Sequence, residues 1–502
     1  MVAAVLRPTT VSDDPSRKLT LESARRELQD MEQWLESAEA RSLPLHELEQ
    51  EQESRMREVN RLFLKSHLES RGTGDVGPAI EVADTEDPKV MRVHSDRRLH
   101  RREIKTIFGE IAIHRHGYGA RGQVGIHPLD EDLCLAKRSF SYTIQEQLAR
   151  AAVQGPFDEA VERLEERTGL RISKRSAEQI VEEVAEYFDA FYDTRKAVAA
   201  SKTGPILVGA VDCKGIPMVK TEKSERVVRR GRGQKPNKKK MATVAAAFTQ
   251  MPRIRTPEQV IQSLFEPDEK PDRKPVRRGP ENKRVWASLQ KSKDEVIAEV
   301  AAEMRRRDPR HTKTWTVVAD GERALKIRLK KALPENVIIV LDFLHVLERL
   351  WTTAYVFHPE QSPEAKQWVR ERALRILRGE VSQVIKGLRQ SSTKRRLRGK
   401  DKKTVEGTAN YYWPRRENMK YDEYLSQGLP IASGAVEGAC KNLIKDRMER
   451  SGMRWTEPMA EAMIKLRAVD RSHDWHEFWK FHVRRDQHRL HPENRWKLLV
   501  EK

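Results

Sequence analysis

The sequence has little of what marks secreted, membrane-spanning or nucleotide-driven proteins. Its 502 residues include only three cysteines, Cys134, Cys213 and Cys440, and none forms a CxxC pair. This count is too low for a disulfide framework and fits a reducing compartment. No apolar run could span a bilayer, no signal-peptide segment follows Met1, and no GxxxxGK[ST] loop occurs. These absences predict a cytoplasmic protein that uses neither a membrane nor an NTP.

Positive charge is what the sequence has in excess. Lys and Arg number 96 against 76 Asp and Glu, which leaves a net charge of +20 and favours a polyanionic partner, most simply nucleic acid. Residues 222–240, 270–284 and 391–403 carry +7, +5 and +6. Gly, Pro and Ser punctuate these segments, which are therefore predicted loops. Each could be a solvated loop with no specific role, but three together favour a surface that follows phosphates.

The N-terminal part is predicted to be mainly helical. Residues 1–90 read as two antiparallel helices, broken at Leu43-Pro44, and a linker over 71–90. Their pattern fits a local helical hairpin or a dimer contact. Residues 91–200 are interpreted as a DNA-binding region with a helix-turn-helix candidate at 157–187, in which one helix ends at Gly169 and Ser173 caps the next.

Three cations lie near the start of the second helix of this candidate, where groove contacts are usually made: Arg171, Lys174 and Arg175. Simple packing of a helical hairpin is the alternative to DNA binding.

The rest of the chain predicts a mixed α/β sheet with a helical insertion. We expect a first catalytic-core part at 201–358, an insertion at 359–430, a final core helix at 431–470 and a tail at 471–502. Within the core, the sequence predicts strands at 206–213, 241–250, 314–320 and 336–343, a return strand after Gly215-Ile216-Pro217, and a helix over 282–307.

Four acids stand where such a fold builds sites. Asp212, Asp320 and Asp342 each follow a buried-type strand, and Glu437 lies one turn into a helix capped by Ser433. Asp320 could instead cap the next helix. Glu437 could pair with Lys441 on the surface. Together the four predict a carboxylate cluster, whose hard oxygens suit Mg²⁺ or Mn²⁺. Two such ions, about 3.5–4 Å apart, serve phosphodiester cleavage and strand transfer.

The residues around these acids resemble the DDE transposases of bacterial insertion sequences, most of all the ISKra-type family related to the mutator-like group. The resembling motifs, within roughly 205–460, are VGAVDCKGIPM, VVADGERALK, VLDFLHVLERLW and IASGAVEGACKNLIKDRMERSGMRW. The resemblance implies an RNase H-like core, two Mg²⁺ ions, and cleavage and joining of double-stranded DNA at the terminal inverted repeats of a mobile element. It also implies at least a dimer on paired ends, in a bacterial nucleoid.

Carried over by residue, the resemblance makes Asp212 the first acid and Glu437 the last. The second is open between Asp320 and Asp342. In an RNase H-like sheet the fourth strand lies beside the first, and an acid on the fifth is ~10 Å from the first strand. We therefore expect Asp320 to be the metal ligand. Asp342 and His345 resemble a (C/D)xxH signature that would support the site.

Further residues are predicted to contact DNA. Trp455 resembles an aromatic residue that stacks on a displaced base, although a core tryptophan is the alternative. Phosphate contacts are expected from two residues on the Glu437 helix and from the first basic segment: Lys441, Arg447, Arg229, Arg230, Arg232, Lys238, Lys239 and Lys240. Two other functions stay open: a non-catalytic DNA-binding protein derived from a transposase, and an RNase H-like nuclease without strand transfer.

Overall fold

The computed structural model describes residues 21–84, 87, 89–219, 239–266, 279–492 and 495–498, with positions 435 and 451 described by backbone alone. The chain divides into two compact units, one of Met1–Tyr187 with His476–Lys502 and the other of Phe188–Trp475. Within the described ranges, no helix combines the length and apolar character needed to cross a membrane.

The elements that precede Phe188 are α1 (Glu22–Glu36), α2 (Ala38–Ser42), α3 (Leu45–Ser70), β1 (Ile80–Ala83), β2 (Met91–His94), β3 (Asp96–Thr106), β4 (Gly109–Gly119), α4 (Pro128–Asp132), α5 (Tyr142–Gln154), α6 (Phe157–Thr168) and α7 (Lys174–Ala185).

The elements that follow are α8 (Phe188–Thr194), β5 (Ile206–Pro217), β6 (Lys239–Gln250), α9 (Pro257–Phe265), β7 (Glu281–Ser288), α10 (Lys293–Arg307), β8 (Thr314–Ala319), α11 (Arg323–Ala332), β9 (Ile338–Leu341), α12 (Phe343–Phe357), α13 (Pro363–Leu377), α14 (Val381–Lys394), α15 (Gly399–Tyr412), α16 (Tyr421–Ser426), α17 (Gly434–Ala439), α18 (Asp446–Met448), α19 (Glu457–Arg471), α20 (Trp475–Leu490) and β10 (Trp496–Leu498).

The first unit confirms the predicted helices and corrects the segments that flank them. Helices α1 and α3 pack together, and α3 begins directly after Pro44. The predicted linker at 71–90 contains β1, which pairs with β2 and with β10. The predicted tail at 471–502 contains both α20 and β10. Strands of three or four residues are too short to show a recognisable alternation of apolar and polar residues, so the sequence does not predict them.

The predicted helix-turn-helix boundaries are confirmed. Helix α6 ends at Gly169, whose left-handed φ of 69° suits glycine, and the Ser173 hydroxyl accepts a hydrogen bond from the Ser176 amide at the start of α7. The two helices pack against each other and both pack on α5.

The second unit is built on a mixed five-stranded sheet of order β7-β6-β5-β8-β9. Strands β5, β6 and β7 are antiparallel to one another, whereas β8 and β9 run parallel to β5. The predicted class, an α/β fold with a mixed sheet, is therefore correct. A hydrophobic cluster joins one part of this sheet, including Val208, Val318 and Val340, to helices α9 and α12–α16.

Two predictions for this sheet were wrong. Strand β5 continues through Gly215-Ile216-Pro217, where a turn was expected, and Pro217 still pairs with Lys239 of β6. Residues 281–288 form β7, although the sequence predicted a helix over 282–307, and the helix begins only at Lys293 after its cap Ser292. Val285 and Trp286 fit either period, and pairing with β6 decides between them.

The helical insertion is present, but its basic segment is not a loop. Residues 391–403 include the end of α14 and the start of α15, and the turn between them holds Arg396 at a φ of 48° and Gly399 at 54°. The basic segments at 222–240 and 270–284 lie largely outside the described residues.

Candidate active site

The sheet places Asp212 and Asp320 on neighbouring strands. In the parallel pair of β5 and β8 the last register match is Val211 with Ala319, and the two aspartates follow directly. Strand β9, which precedes Asp342, lies one strand farther from β5. The predicted order, with the Asp320 strand beside the Asp212 strand and the Asp342 strand beyond it, is confirmed.

Asp212 and Asp320 are half-buried and close enough to influence each other. Burial raises the pKa of Asp320, and the negative charges of Glu322 and Asp212 raise it further. Asp320 Oδ1 accepts a hydrogen bond from the Glu322 amide at 3.0 Å, so it also forms the local turn before α11. Two carboxylates placed in this way form a negatively charged centre that favours a cation.

The helix that carries Glu437 packs against the strand that carries Asp212. Helix α17 contacts β5 and β6, and the chain continues into a π-helical segment, Cys440–Lys445. Cys440 lies one turn beyond Glu437, and its Sγ donates to Asp212 Oδ2 at 3.2 Å. Segments of π-helix recur at functional sites. This contact brings the Glu437 helix to the edge of the acidic pair.

Glu437 itself is exposed. The spacing allows an ion pair between Glu437 and Lys441, but it is not formed. Among the described residues, neither side chain has an ion-pair partner. Within the same described residues, no three His, Cys, Asp or Glu side chains are gathered in an arrangement that could hold a metal ion.

Asp342 is an anchor for two helices. Its side chain is 1% exposed, and Oδ1 accepts from the Leu344 amide at 2.8 Å, which caps α12. Oδ2 accepts from the amide of Ser433 at 3.2 Å and from its hydroxyl. The sequence predicted that Ser433 caps α17. Its hydroxyl instead donates to Asp342 and makes no capping hydrogen bond to its own helix. Burial raises the pKa of Asp342, but His345 and Ser433 lower it by more.

His345 faces the anchor and the acidic pair together. Its Nδ1 lies 3.6 Å from Asp342 Oδ2, and the Asp342 carboxylate raises the pKa of His345 to about 9 in spite of burial. The charge of Asp320 acts in the same direction, so His345 lies close enough to both Asp342 and Asp320 to be influenced by each.

Trp455 and Arg447 are packed inside the unit. Trp455 is 5% exposed, its indole N–H donates to the Met448 carbonyl at 3.0 Å, and the Arg447 guanidinium lies 4.8 Å from its ring centre. Arg447 is 1% exposed. Trp455 is therefore a core tryptophan in this structure, the alternative to base stacking. Lys441, which was predicted to contact phosphate, is exposed.

The predicted DNA-binding cations of the first unit lie at the surface. Arg171 pairs with Glu165 at 3.1 Å and Lys174 pairs with Asp158 at 2.9 Å, while Arg175 is exposed. The pairs are exposed enough that they are worth little energetically and can be exchanged for phosphate.

The cations of the first basic segment fall into two groups. Lys239 pairs with Glu449, and Lys240 pairs with Glu457 at 2.6 Å. The other four lie outside the described residues: Arg229, Arg230, Arg232 and Lys238.

Sequence reasoning missed several residues at this site. Lys293 forms an ion pair with Glu322 at 2.5 Å, which places a cation beside Asp320. Arg415 comes from the insertion and donates to the Gly321 carbonyl at 2.5 Å. Cys440 was noted only as one of three scattered cysteines. No sequence signal marked these three residues. Helix α11, where five of ten residues are Lys or Arg and none is acidic, is a further basic segment that the sequence analysis did not single out.

Comparison with known proteins identifies no relative at the level of sequence. No family model and no curated protein matches the chain. Among solved structures, the chain is similar to one titled Drosophila P element transposase strand transfer complex, at 10% identity and a TM-score of 0.25. That match covers 66% of this chain and 80% of the other. A likeness this weak assigns neither a fold nor a function.

Proposed function

We propose that this chain is a transposase that cleaves DNA at the terminal inverted repeats of a mobile element and joins the freed 3′ ends to target DNA. The observation that carries the proposal is the pairing of β5 with β8, which sets Asp212 beside Asp320, while the Glu437 helix packs on β5. Three antiparallel strands followed by two parallel ones support an RNase H-like core. We further propose that the active species is at least a dimer on paired DNA ends.

The acidic pair fits a divalent cation. Asp212 and Asp320 offer hard carboxylate oxygens on adjacent strands, and the repulsion that raises the pKa of Asp320 is relieved by a cation. Although the three side chains are not gathered around one point in the described residues, we propose that Asp212, Asp320 and Glu437 hold two Mg²⁺ or Mn²⁺ ions. When bound, these ions would activate the attacking oxygen and stabilise the leaving oxygen of the phosphodiester.

The remaining residues position these three. Cys440 orients the Asp212 carboxylate through its thiol, and Asp342 fixes the start of the Glu437 helix through Ser433. Because both oxygens of Asp342 already accept hydrogen bonds and the side chain is buried, we assign it to positioning and Asp320 to metal binding.

The test is DNA cleavage and joining in Mg²⁺ on a linear duplex that carries the inverted repeats flanking the gene. We expect Asp212→Asn, Asp320→Asn and Glu437→Gln to lose about 10³-fold or more of the cleavage rate, on the scale of removing an essential catalytic group. Glu335→Gln, an exposed site after α11, is the matched control and should retain full activity.

Four results would contradict the proposal in different ways. Full cleavage by Asp212→Asn would exclude this site. Cleavage without joined products would point to a nuclease, and DNA binding without wild-type cleavage would point to a non-catalytic relative. Activity in Asp320→Asn together with none in Asp342→Asn would make Asp342 the second metal ligand.

A further inference from the structure

A cleft of about 400 Å³ opens beside Asp320. One wall is helix α11, and the other is the 3₁₀ turn Trp413–Asn418 of the insertion. Its lining includes four cations, namely Arg323, Lys326, Lys330 and Arg415, and an apolar floor that includes Ile327, Ile339, Leu341 and Pro414. The volume lies within the range of ligand-binding pockets.

The cations of this cleft are not neutralised by the protein. Arg323, Lys326 and Lys330 follow one another at helical spacing on α11, so they share a face. Within the described chain, none of the four cations forms an ion pair with a carboxylate. The rim acid Glu322 is already paired with Lys293. Burial lowers the pKa of Lys326, and the positive charges of Lys330 and Arg415 lower it further, against the negative charge of Glu417, which raises it.

Arg415 is held rigidly in the opposite wall. Its Nε donates to the Gly321 carbonyl, its Nη1 donates to the Tyr411 carbonyl at 2.6 Å, and its guanidinium lies 4.0 Å from the Tyr411 ring centre. A Cβ at Gly321 would lie 1.9 Å from the Tyr411 hydroxyl, so only glycine permits this approach. The wall is thus attached to the residue that follows Asp320.

Apolar surface lies next to the charge. Ile327, between Lys326 and Lys330 on the same helix, is 63% exposed and lines the cleft. Cations suit a phosphate, and a flat apolar floor suits a sugar or a base. A simple phosphate ion would use only the first of these surfaces.

We propose that this cleft binds one nucleotide of the DNA strand whose phosphodiester lies at Asp212 and Asp320. Its phosphate contacts Lys326, Lys330 and Arg415, and its sugar and base cover Ile327. The inference rests on the proposed function for the identity of the ligand as DNA. It adds a nucleotide subsite, built by α11 and the insertion, that positions the strand beside the acidic pair.

The test is equilibrium binding of a fluorescein-labelled 30-base-pair duplex to the full chain without divalent metal, measured by anisotropy over a salt series. We expect Lys326→Ala/Lys330→Ala to weaken binding about tenfold and to lower the salt slope by about one, since one neutralised phosphate contributes about 0.9. Ile327→Ser should weaken binding about threefold at an unchanged slope. If the alanine pair does not fold, the glutamine pair at the same positions replaces it.

The matched control is Arg328→Ala/Lys331→Ala, which removes the same charge from α11 outside the cleft lining. It should change the affinity less than twofold. Equal losses in the two double variants would overturn the subsite, and so would an unchanged Ile327→Ser. The proposed function and the subsite fail through different results. Full cleavage by Asp212→Asn overturns the proposed function, even if the cleft variants bind DNA weakly. Normal DNA binding by the cleft variants overturns only the subsite.

Discussion

Glu303 shows at the scale of a single residue how this basic protein uses its acids. It is 3% exposed on α10, and its carboxylate pairs with three guanidinium groups, those of Arg284 at 2.7 Å, Arg306 at 2.5 Å and Arg307 at 2.7 Å. Burial raises the pKa of Glu303, but these arginines lower it to about 2. The charge of Glu303 therefore stabilises the folded chain.

Replacing Glu303 by Gln should destabilise the chain at pH 7 by about 3–5 kcal/mol, because it leaves three partly buried arginines without their counter-charge. A folded pKa below the unfolded value means that this stability is complete above about pH 4.5 and declines as the pH falls towards about 2. Urea unfolding of the variant and the native chain at several pH values measures the difference.

Asp294→Asn is the control for this prediction. Asp294 lies on the same helix, but its side chain is 67% exposed and pairs with Arg328 at the surface. It should cost less than about 1 kcal/mol at any pH. A gap between Glu303→Gln and the native chain that stays constant down to pH 2 would contradict the linkage.

At the scale of an element, helix α17 depends on a contact from Asp342, the residue that caps α12. Its six residues are too few to form a stable helix alone, and Ser433 does not cap it. The Asp342–Ser433 contacts and the packing on β5 and β6 hold it in place. The position of Glu437 is therefore set by Asp342, which lies on another segment of the chain.

We expect Ser433→Ala to loosen α17. Loss of a hydrogen bond to a buried carboxylate costs about 1.5–3 kcal/mol, and amide hydrogen exchange at 435–439 should become faster. Ser426→Ala is the control, because its hydroxyl donates only to the Glu423 carbonyl within its own helix. Unchanged exchange at 435–439 in Ser433→Ala would show that Asp342 does not anchor this helix.

At the scale of the whole molecule, the net charge of +20 does not say which Lys and Arg side chains are available to DNA. Some of them are paired with acids and others are not. Lys239 and Lys240 at the start of β6 are paired with acids, so they contribute less to the attraction for DNA than their number implies. Helix α11, which lies outside the three basic segments, contributes four cations that form no ion pair with the described residues, namely Arg323, Lys326, Lys330 and Lys331. The segments with the most Lys and Arg in the sequence are therefore not the same as the surfaces with the most unpaired positive charge in the structure.

Neutralising five cations of the first basic segment should weaken DNA binding for every sequence. For Arg229, Arg230, Arg232, Lys235 and Lys238 changed to Gln, we expect the slope of log affinity against log salt to fall by up to about four. Lys239→Gln/Lys240→Gln is the comparison, and its loss per charge should be smaller because acids already pair with both lysines. An unchanged slope in the first variant would mean that the segment does not contact DNA.

The strand order that favours Asp320 over Asp342 was implied by the family resemblance. The sequence by itself determined the apolar strand segments before Asp212, Asp320 and Asp342 and the helix boundaries at Gly169 and Ser173. These features depend on local periodicity and capping, which nearby residues encode. The sequence could not distinguish β7 from a helix, because Val285 and Trp286 satisfy both periods until β6 pairs with them.

Only the tertiary structure decided which acids are free and which are anchors. Asp342 and Asp320 look alike in sequence, yet one is buried against Ser433 and the other opens onto a cationic cleft. The contact of Cys440 with Asp212 joins residues 228 positions apart, as the pairing of β5 with β8 brings together two acids from distant segments. The physical reason is that burial and neighbouring charge arise from packing between segments, which no local pattern records.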